Sequence, residues 1–158
     1  MSEKWTGQVI AIQITSQAGE KMVSVHEVKA IAGKGLEGDR YLTEKGKFSD
    51  RPGPARQLTL IELESIEALQ REDSVELSPL ESRRNIVTRG VPLNHLVNKR
   101  FRLGESVVAR GVKLCEPCEY LEEVTQKKVI SGLTHRGGLR AEILEGGIVR
   151  VGDQIRPS

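Results

Sequence analysis

The sequence is poor in aromatic residues and in cysteine, and it lacks long apolar runs. Aromatic residues make up 3% of its 158 residues, which argues against binding of single-stranded nucleic acid, because such binding needs exposed rings on which bases stack. No apolar run approaches the length of a transmembrane helix, so no membrane partner is expected. The two cysteines and the N-terminus, which does not resemble a signal peptide, predict a protein of the reducing cytoplasm without a structural disulfide.

The chain also lacks a strong excess of either charge. Its 24 lysine and arginine residues stand against 22 aspartate and glutamate residues, for a formal net charge of +2. That balance is too small to indicate a nucleic-acid or membrane partner by itself. A length of 158 residues suits one domain with a core of its own, and we expect residues 1–158 to form a single domain.

What the sequence does contain is a series of short segments in which polar and apolar residues alternate. Residues 7–15 and 21–31 show this pattern and predict two strands of a hairpin. Residues 83–90 predict a further strand that ends in glycine. Residues 99–114, with a Gly-Glu turn, and residues 139–157, with Gly-Gly and Gly-Asp turns, carry hairpin signals as well.

Helical patterns are few. Residues 60–72 predict the clearest helix, with Thr59 as its N-cap, and residues 117–136 predict helical structure between the last hairpins. Residues 32–56 are dense in glycine and proline and predict a long ordered loop. Many short strands, few helices and no regular βαβ alternation predict a mainly β fold, a β-barrel with a few short inserted helices.

The loop contains a literal G-x-G-x-x-G motif in "GKGLEGD". The dinucleotide fingerprint requires a helix that begins at the third glycine, so that the helix N-terminus can hold a pyrophosphate. The residues that follow have no helical period and several helix breakers. We therefore interpret the glycines as shaping a tight loop, in which Asp39 and Arg40 can still face a pocket.

The two cysteines, Cys115 and Cys118, lie in "LCEPCEYLEE" with a Cys-x-x-Cys spacing. A closed zinc site needs four ligands, and we expect no structural zinc, because no paired histidines accompany the cysteines. The three histidines are scattered along the chain: His26, His95 and His135. A thioredoxin-like pair is disfavoured, because hairpin strands and not a βαβ unit precede the motif. Two buried, inert thiols are the plain structural alternative.

Local features favour activation of one thiol. Pro117 suits the first position of a helix, which would place Cys118 in the first turn, where unpaired backbone N–H groups stabilise a thiolate. Glu116 and Glu119 oppose this effect, so a nearby cation would have to offset them.

Two basic segments flank the cysteines and can supply such cations. They are "SRRNIVTRG", with Arg83, Arg84, Asn85 and Arg89, and "HRGGLR", with His135, Arg136 and Arg140. Arginine next to glycine suits phosphate or another oxyanion, because the guanidinium and the backbone N–H groups are both accessible. A solvated surface charge is the ordinary fate of a single arginine, and we expect it for Arg84. Whether the two segments converge is left open by the sequence.

Taken in order, five segments resemble a MOSC domain, the module named after the C-terminal part of molybdenum cofactor sulfurase. They are "AGKGLEGDRY", "RQLTLIE", "SRRNIVTRG", "LGESVVARGVKLCEPC" and "HRGGLRAEILEGGIVRVGD". The resemblance covers roughly residues 7–156. It implies a barrel-like, largely β fold around one reactive cysteine, which carries sulfur as a persulfide or ligates molybdenum in the pterin cofactor (molybdopterin).

The resemblance also implies roles for individual residues. By motif match the reactive cysteine and metal ligand is Cys118, and Cys115 is its less constrained partner. The R-x-N motif of relatives that bind the cofactor lies at the pterin-phosphate site and matches Arg83 and Asn85. The cofactor-binding set is completed by the residues that match the "HRGGLR" pattern: His135, Arg136 and Arg140.

Three functional hypotheses follow from the resemblance and the residues. The first is a stand-alone MOSC protein that binds the molybdenum cofactor or carries sulfur for it through Cys118. The second is a molybdenum-dependent reductase of N-hydroxylated or sulfoxide-type compounds. The third is a non-catalytic module whose basic pocket binds an anion. The sulfur source or redox partner would be another protein, either a cysteine desulfurase with its own pyridoxal phosphate or an electron-transfer protein.

Overall fold

The computed structural model describes residues 5–42, 53–117 and 119–158. These residues form eleven strands and three α-helices. The strands are β1 (Gly7–Ile14), β2 (Val23–Val25), β3 (Glu27–Ile31), β4 (Gly35–Leu36), β5 (Leu58–Glu62), β6 (Ile86–Arg89), β7 (Arg100–Leu103), β8 (Val107–Leu114), β9 (Leu139–Glu145), β10 (Gly147–Arg150) and β11 (Gln154–Pro157). The α-helices are α1 (Leu63–Asp73), α2 (Glu119–Thr125) and α3 (Ile130–Leu133), and short 3₁₀ turns cover Pro54–Arg56, Leu80–Ser82 and Leu93–His95.

Seven of the strands close into a barrel, which confirms the predicted fold class. Around the barrel the strands follow the order β11, β7, β8, β9, β5, β6 and β1, and the pairing of β1 with β11 closes the ring. Neighbouring strands are antiparallel except β5 and β6, which are parallel. β2 continues the sheet beside β1, while β3, β4 and β10 form a separate three-stranded sheet.

The alternation of the strands gives the protein one core inside the barrel and another outside it. Phe101, Leu60 and Ile86 point inward and are fully buried. Their neighbours Ile61 and Val87 point outward, since successive side chains of a strand lie on opposite faces. The outward-facing apolar residues are covered by the helices, and the outer core includes Ile66 and Leu69 of α1, Leu121 of α2 and Leu133 of α3.

The main helix begins later than the sequence pattern predicted. The chain stays in β5 as far as Glu62, and α1 begins at Leu63 without any side-chain cap. Thr59 is therefore a strand residue, and its predicted role as N-cap is wrong. Its hydroxyl instead donates to Asn85 Oδ1 at 3.2 Å. The apolar stripe had the right period, but a buried strand partner held Thr59 in extended structure.

In residues 139–157 the predicted turns are correct, but the predicted pairing between neighbouring strands is wrong. β10 pairs with β3, and β11 pairs with β1 and β7, so neither pairs with its neighbour in sequence. At Gly146 the chain leaves the barrel for the small sheet. A Cβ placed on Gly146 would lie 2.6 Å from the Ala30 carbonyl oxygen, so only glycine permits this close approach.

Most other elements agree with the predictions. β7 and β8 form the hairpin across the Gly-Glu turn, and β1 and β2 form the first hairpin, with Ile14 opposite Val23. The single strand predicted over residues 21–31 is wrong in its second half, because the chain breaks after β2 and β3 joins the small sheet. The predicted long loop falls partly on residues 43–52, which lie outside the described residues. In the described part of the chain, no helix is both long enough and apolar enough to span a bilayer.

Candidate functional site

The segment that precedes Cys118 is bound to the "HRGG" segment. Cys118 itself lies outside the described residues. Cys115 is 2% exposed, and its N–H donates to the Gly138 carbonyl oxygen at 2.7 Å. The carboxylate of Glu116 accepts from the His135 backbone N–H at 2.7 Å and lies 3.1 Å from His135 Nδ1. A Cβ on Gly137 would lie 2.5 Å from the Cys115 carbonyl oxygen, so the two segments meet at a position where only glycine fits.

Arg84 joins these two segments to the "SRRN" segment. Its Nε donates to the Gly137 carbonyl oxygen at 2.8 Å, and its Nη2 donates to that of Cys115 at 3.3 Å. Nη1 donates to the Ser82 carbonyl oxygen at 3.4 Å. Arg84 is only 8% exposed, so the expectation of a solvated surface charge is wrong. The two basic segments that flank the cysteines therefore converge, and they do so through a residue outside the predicted site.

Arg83, the next residue, has a different environment. Its backbone is left-handed, with a φ of 60°, and this conformation sends its side chain away from that of Arg84. Nη1 donates to the Glu20 carbonyl oxygen at 2.7 Å. Nη2 is buried, and within the described residues it has no hydrogen-bond partner. Burial, followed by the charge of Arg40, lowers the pKa of the Arg83 guanidinium.

Asp39 and Arg40, from the glycine-rich loop, are buried beside Arg83. Arg40 Nη1 lies 3.1 Å from Asp39 Oδ1, and Arg40 Nη2 donates to the Arg83 carbonyl oxygen at 3.0 Å. Asp39 Oδ1 also accepts from the Thr15 N–H at 3.1 Å. The Asp39 carboxylate thus stands close to two guanidinium groups, those of Arg40 and Arg83.

Asn85 is fully buried, and its side chain holds neighbouring strands together. Its Oδ1 accepts from the backbone N–H of Thr59 at 3.1 Å, and its Nδ2 donates to the Gln13 carbonyl oxygen at 3.1 Å. These contacts fix the start of β6 between β5 and β1. The side chain therefore positions the loop that carries Arg83. Direct contact between Asn85 and a cofactor stays a prediction.

The remaining predicted residues contact different parts of the protein. The ring of His135 is largely exposed beside Glu116. Arg136 contacts α1, where its Nη2 lies 3.0 Å from Glu72 Oε1, and its Nε donates to the Gly132 carbonyl oxygen. Arg140 Nη1 donates to the Ala55 carbonyl oxygen at 3.3 Å. The hydrogen bond of His135 joins it to Glu116 of the cysteine segment, and the part that Arg136 and Arg140 play in cofactor binding stays a prediction.

A cavity of about 510 Å³ opens beside Arg83. Its wall is formed by the residues around β2, the 3₁₀ turn Leu80–Ser82 and the end of α2. They are Gly19, Lys21, Met22, Ser78, Leu80, Glu81, Arg83, Val124 and Thr125. The α2 residues in this wall, Val124 and Thr125, are the last two of the helix that follows Cys118.

A model of the MOSC domain matches residues 48–156, which is more than half of the chain. The chain belongs to the MOSC domain family. This family is associated with the molybdenum cofactor, and the membership confirms the resemblance. A comparison with curated proteins finds no significant match.

Solved structures show the same fold in other chains. The YuaD protein from Bacillus subtilis superposes with a TM-score of 0.79 at 16% identity, over 96% of this chain and 97% of that one. YiiM from Geobacillus stearothermophilus gives 0.70 at 12% identity, over 96% and 75% of the two chains. YiiM from Escherichia coli gives 0.65 at 17% identity, over 99% and 70%. At such identities the likeness establishes the fold alone.

The sequence did not reveal that Arg84 holds the three segments of this MOSC site together. The signal was the arginine doublet in "SRRN", where adjacent side chains must point in different directions. Nothing in the sequence shows which of the two arginines contacts the cysteine segment, because that depends on the left-handed turn at Arg83. Asp39 and Arg40 were noticed, and the structure places them in contact with Arg83 and not on an open loop surface.

Proposed function

We propose that this MOSC protein binds the molybdenum cofactor and carries sulfur, or ligates molybdenum, through Cys118. The observation that supports the proposal is the convergence described above. Arg84 donates to the carbonyl oxygens of Cys115 and Gly137 and so ties three motif segments together next to Cys118 in sequence. Burial of a charge is costly, and for Arg84 the cost is offset by hydrogen bonds that fix the segment leading to Cys118 beside the loop of Arg83. Such a fixed arrangement suits a cysteine that acts next to a bound anionic group.

The side chains present fit the cofactor. Arg83 has a buried nitrogen with no hydrogen-bond partner within the described residues, and such a donor suits a phosphate oxygen. A thiolate is a soft ligand of the kind that binds molybdenum or a sulfane sulfur. We assign Arg83 to the phosphate of the cofactor and Cys118 to the metal or the sulfur. When bound, the cofactor would supply the metal redox chemistry.

The other residues would act by holding the site together. Arg84 and Glu116 position the segment that leads to Cys118, and Asn85 positions the loop of Arg83. In sulfur transfer, the Cys118 thiolate would attack the outer sulfur of a donor persulfide. A new S–S bond forms at Cys118, the donor's S–S bond breaks, and the donor leaves as a thiolate. The donor would be a separate cysteine desulfurase, or electrons would come from an electron-transfer protein.

The proposal can be tested on protein produced in cells that make the cofactor. Molybdenum and pterin are measured after gel filtration, for wild type, Arg83→Met and Cys118→Ala. Arg83→Met should weaken cofactor binding by roughly 10- to 100-fold, the equivalent of one charge-assisted hydrogen bond. Cys118→Ala should retain part of the pterin but lose molybdenum–thiolate ligation and the cyanide-released sulfur loaded by a desulfurase.

Arg89→Met is the matched control, because Arg89 belongs to the same segment but pairs with Glu67 on the surface at 2.9 Å. It should behave as wild type. The proposal fails if wild type binds neither molybdenum nor pterin, or if Cys118→Ala still carries releasable sulfur.

A further inference from the structure

Exposed large apolar side chains are rare in this protein, and two of them meet at the cavity beside Arg83. Within the described residues only Val23, Leu80 and Val124 are exposed, at 53%, 38% and 38%. Leu80 and Val124 both line the cavity, together with Met22. Scattered exposed apolar residues need no explanation, but apolar residues from three separate segments around one concavity form a typical binding wall.

Several polar groups of the same wall are engaged within the protein, although Lys21 is exposed and Arg83 Nη2 has no hydrogen-bond partner within the described residues. The carboxylate of Glu81 lies 2.8 Å from Lys127 Nζ and accepts from the Ser78 N–H at 2.9 Å. The Ser78 hydroxyl accepts from the Glu81 N–H at 3.2 Å. The Thr125 hydroxyl donates to the Leu121 carbonyl oxygen at 2.7 Å. An occupant of the cavity therefore meets apolar surface and few groups that need a hydrogen bond from it.

The cavity adjoins the proposed cofactor site at Arg83. Arg83, which we assign to the phosphate of the cofactor, forms part of the wall. Val124 and Thr125, which also line the cavity, are the last two residues of α2. With a volume of about 510 Å³, the cavity falls in the range of small-molecule sites and is large enough for one or two rings.

We propose that this cavity binds the uncharged, apolar body of the substrate that reacts at the MOSC site. The inference rests on the proposed function, because it reserves Arg83 for the cofactor. Leu80, Val124 and Met22 would contact the substrate body, and no charged group of the substrate is required there. A polar or polyanionic substrate would leave Leu80 and Val124 exposed to water and would gain nothing from them.

The test uses a neutral fluorescent probe on the cofactor-free protein. N-phenyl-1-naphthylamine has an apolar body of suitable size and no charge. Its fluorescence should rise in a saturable titration that fits one site per chain. Leu80→Ser and Val124→Ser should each weaken binding by about tenfold, since each removes part of the apolar wall. Both residues are exposed, so these variants should fold as wild type does, which circular dichroism can verify.

Two control variants sharpen the test. Val23→Ser removes an exposed apolar side chain that does not line the cavity, and it should leave probe affinity unchanged. Arg83 also lines the cavity, but Arg83→Met keeps an apolar stem and removes only the charged head, so it should not weaken binding of this neutral probe, whereas it lowers retention of the cofactor. The two proposals therefore fail separately, one in probe binding and the other in molybdenum content.

Three results would overturn the inference. One is the absence of saturable binding, which would mean that the apolar wall contacts a protein partner or no ligand. Another is binding that Leu80→Ser and Val124→Ser do not weaken, which indicates adsorption elsewhere. The third is a loss of neutral-probe affinity in Arg83→Met as large as in the two serine variants, since Arg83 would then belong to the substrate site.

Discussion

The barrel interior and the loop cluster beside it are both buried, but for opposite reasons. The interior consists of apolar side chains such as Phe101 and Leu60, which are fully buried and are stabilised by removal from water. The loop cluster contains Asp39, Arg40 and Arg84, which are also buried. These charged groups are held by hydrogen bonds to main-chain carbonyl oxygens and by the ion pair of Arg40 with Asp39.

The difference indicates that the barrel interior mainly supplies stability, whereas the loop cluster holds the candidate functional groups. A closed barrel has no free edge and can supply most of the folding energy through its interior. The loop cluster lies outside that interior, so it can keep a buried donor such as Arg83 Nη2 without a partner in the described residues. Substitutions in the two regions should therefore differ in size and in kind.

The largest effect is expected in the barrel. Phe101→Ala should lower the free energy of unfolding by about 3–5 kcal/mol, because it removes a fully buried ring and leaves a cavity. Urea unfolding measures the change. Phe101→Leu, which keeps more of the volume, should cost clearly less. A loss below about 1 kcal/mol for the alanine variant would mean that the interior is not the main source of stability.

A smaller effect is expected at Arg84. Arg84→Met removes donors to three carbonyl oxygens, of Gly137, Cys115 and Ser82, and should lower the free energy of unfolding by about 1–3 kcal/mol. Hydrogen exchange at the Cys115 amide should become faster, since the cysteine segment loses its hydrogen bond from Arg84. Arg89→Met, on an exposed ion pair, should cost about 0–1 kcal/mol. Equal losses in the two variants would show that Arg84 contributes no more to stability than an exposed ion pair does.

The neighbouring arginine should behave differently. Arg83→Met should change the free energy of unfolding of the cofactor-free protein by less than about 1 kcal/mol, because the lost hydrogen bond to Glu20 is offset by relief of the buried charge. The same measurement in the presence of bound cofactor should reveal a larger difference, since ligand binding stabilises the folded state. A loss as large as that of Arg84→Met would show that Arg83 is a structural residue.

The smallest effect concerns the pH dependence of stability at the end of β5. Burial, and then the charge of Glu64, raises the pKa of Glu62 above its ordinary value of 4.5. The folded state then binds the proton more tightly than the unfolded state, so this group's contribution to stability falls as pH rises past 4.5. Glu62→Gln should therefore gain stability over wild type between about pH 5 and 7.

Glu72 provides the opposite case on the surface. Hydrogen bonds from Arg136 and Arg71 lower the pKa of Glu72, so its contribution is present at neutral pH and is lost as the solution becomes acidic. In thermal unfolding followed from pH 7 to pH 4, the Glu62→Gln and Glu72→Gln differences from wild type should change in opposite directions. Parallel changes would contradict the assigned environments.

The strands and the barrel were predictable because their signal is local. Alternation of polar and apolar residues in 7–15 and 99–114 reports which side chains face the interior, and it needs no knowledge of distant segments. The turn glycines were equally readable. Strand partners were less so, since β10 pairs with β3 across most of the chain. The helix start at Leu63 was missed because tertiary burial of Thr59 outweighed its capping preference.

The candidate site, like the fold, was predictable from the sequence only in part. Its motifs, with Cys118, Arg83 and Asn85, were visible in order along the sequence, and they indicated the MOSC family. Their roles were not visible, because adjacent residues such as Arg83 and Arg84 receive partners from segments 31 to 63 positions away. Order and periodicity are properties of the chain. The packing of the loops decides which donor has a carbonyl partner and which has none. Only the tertiary structure determines that packing.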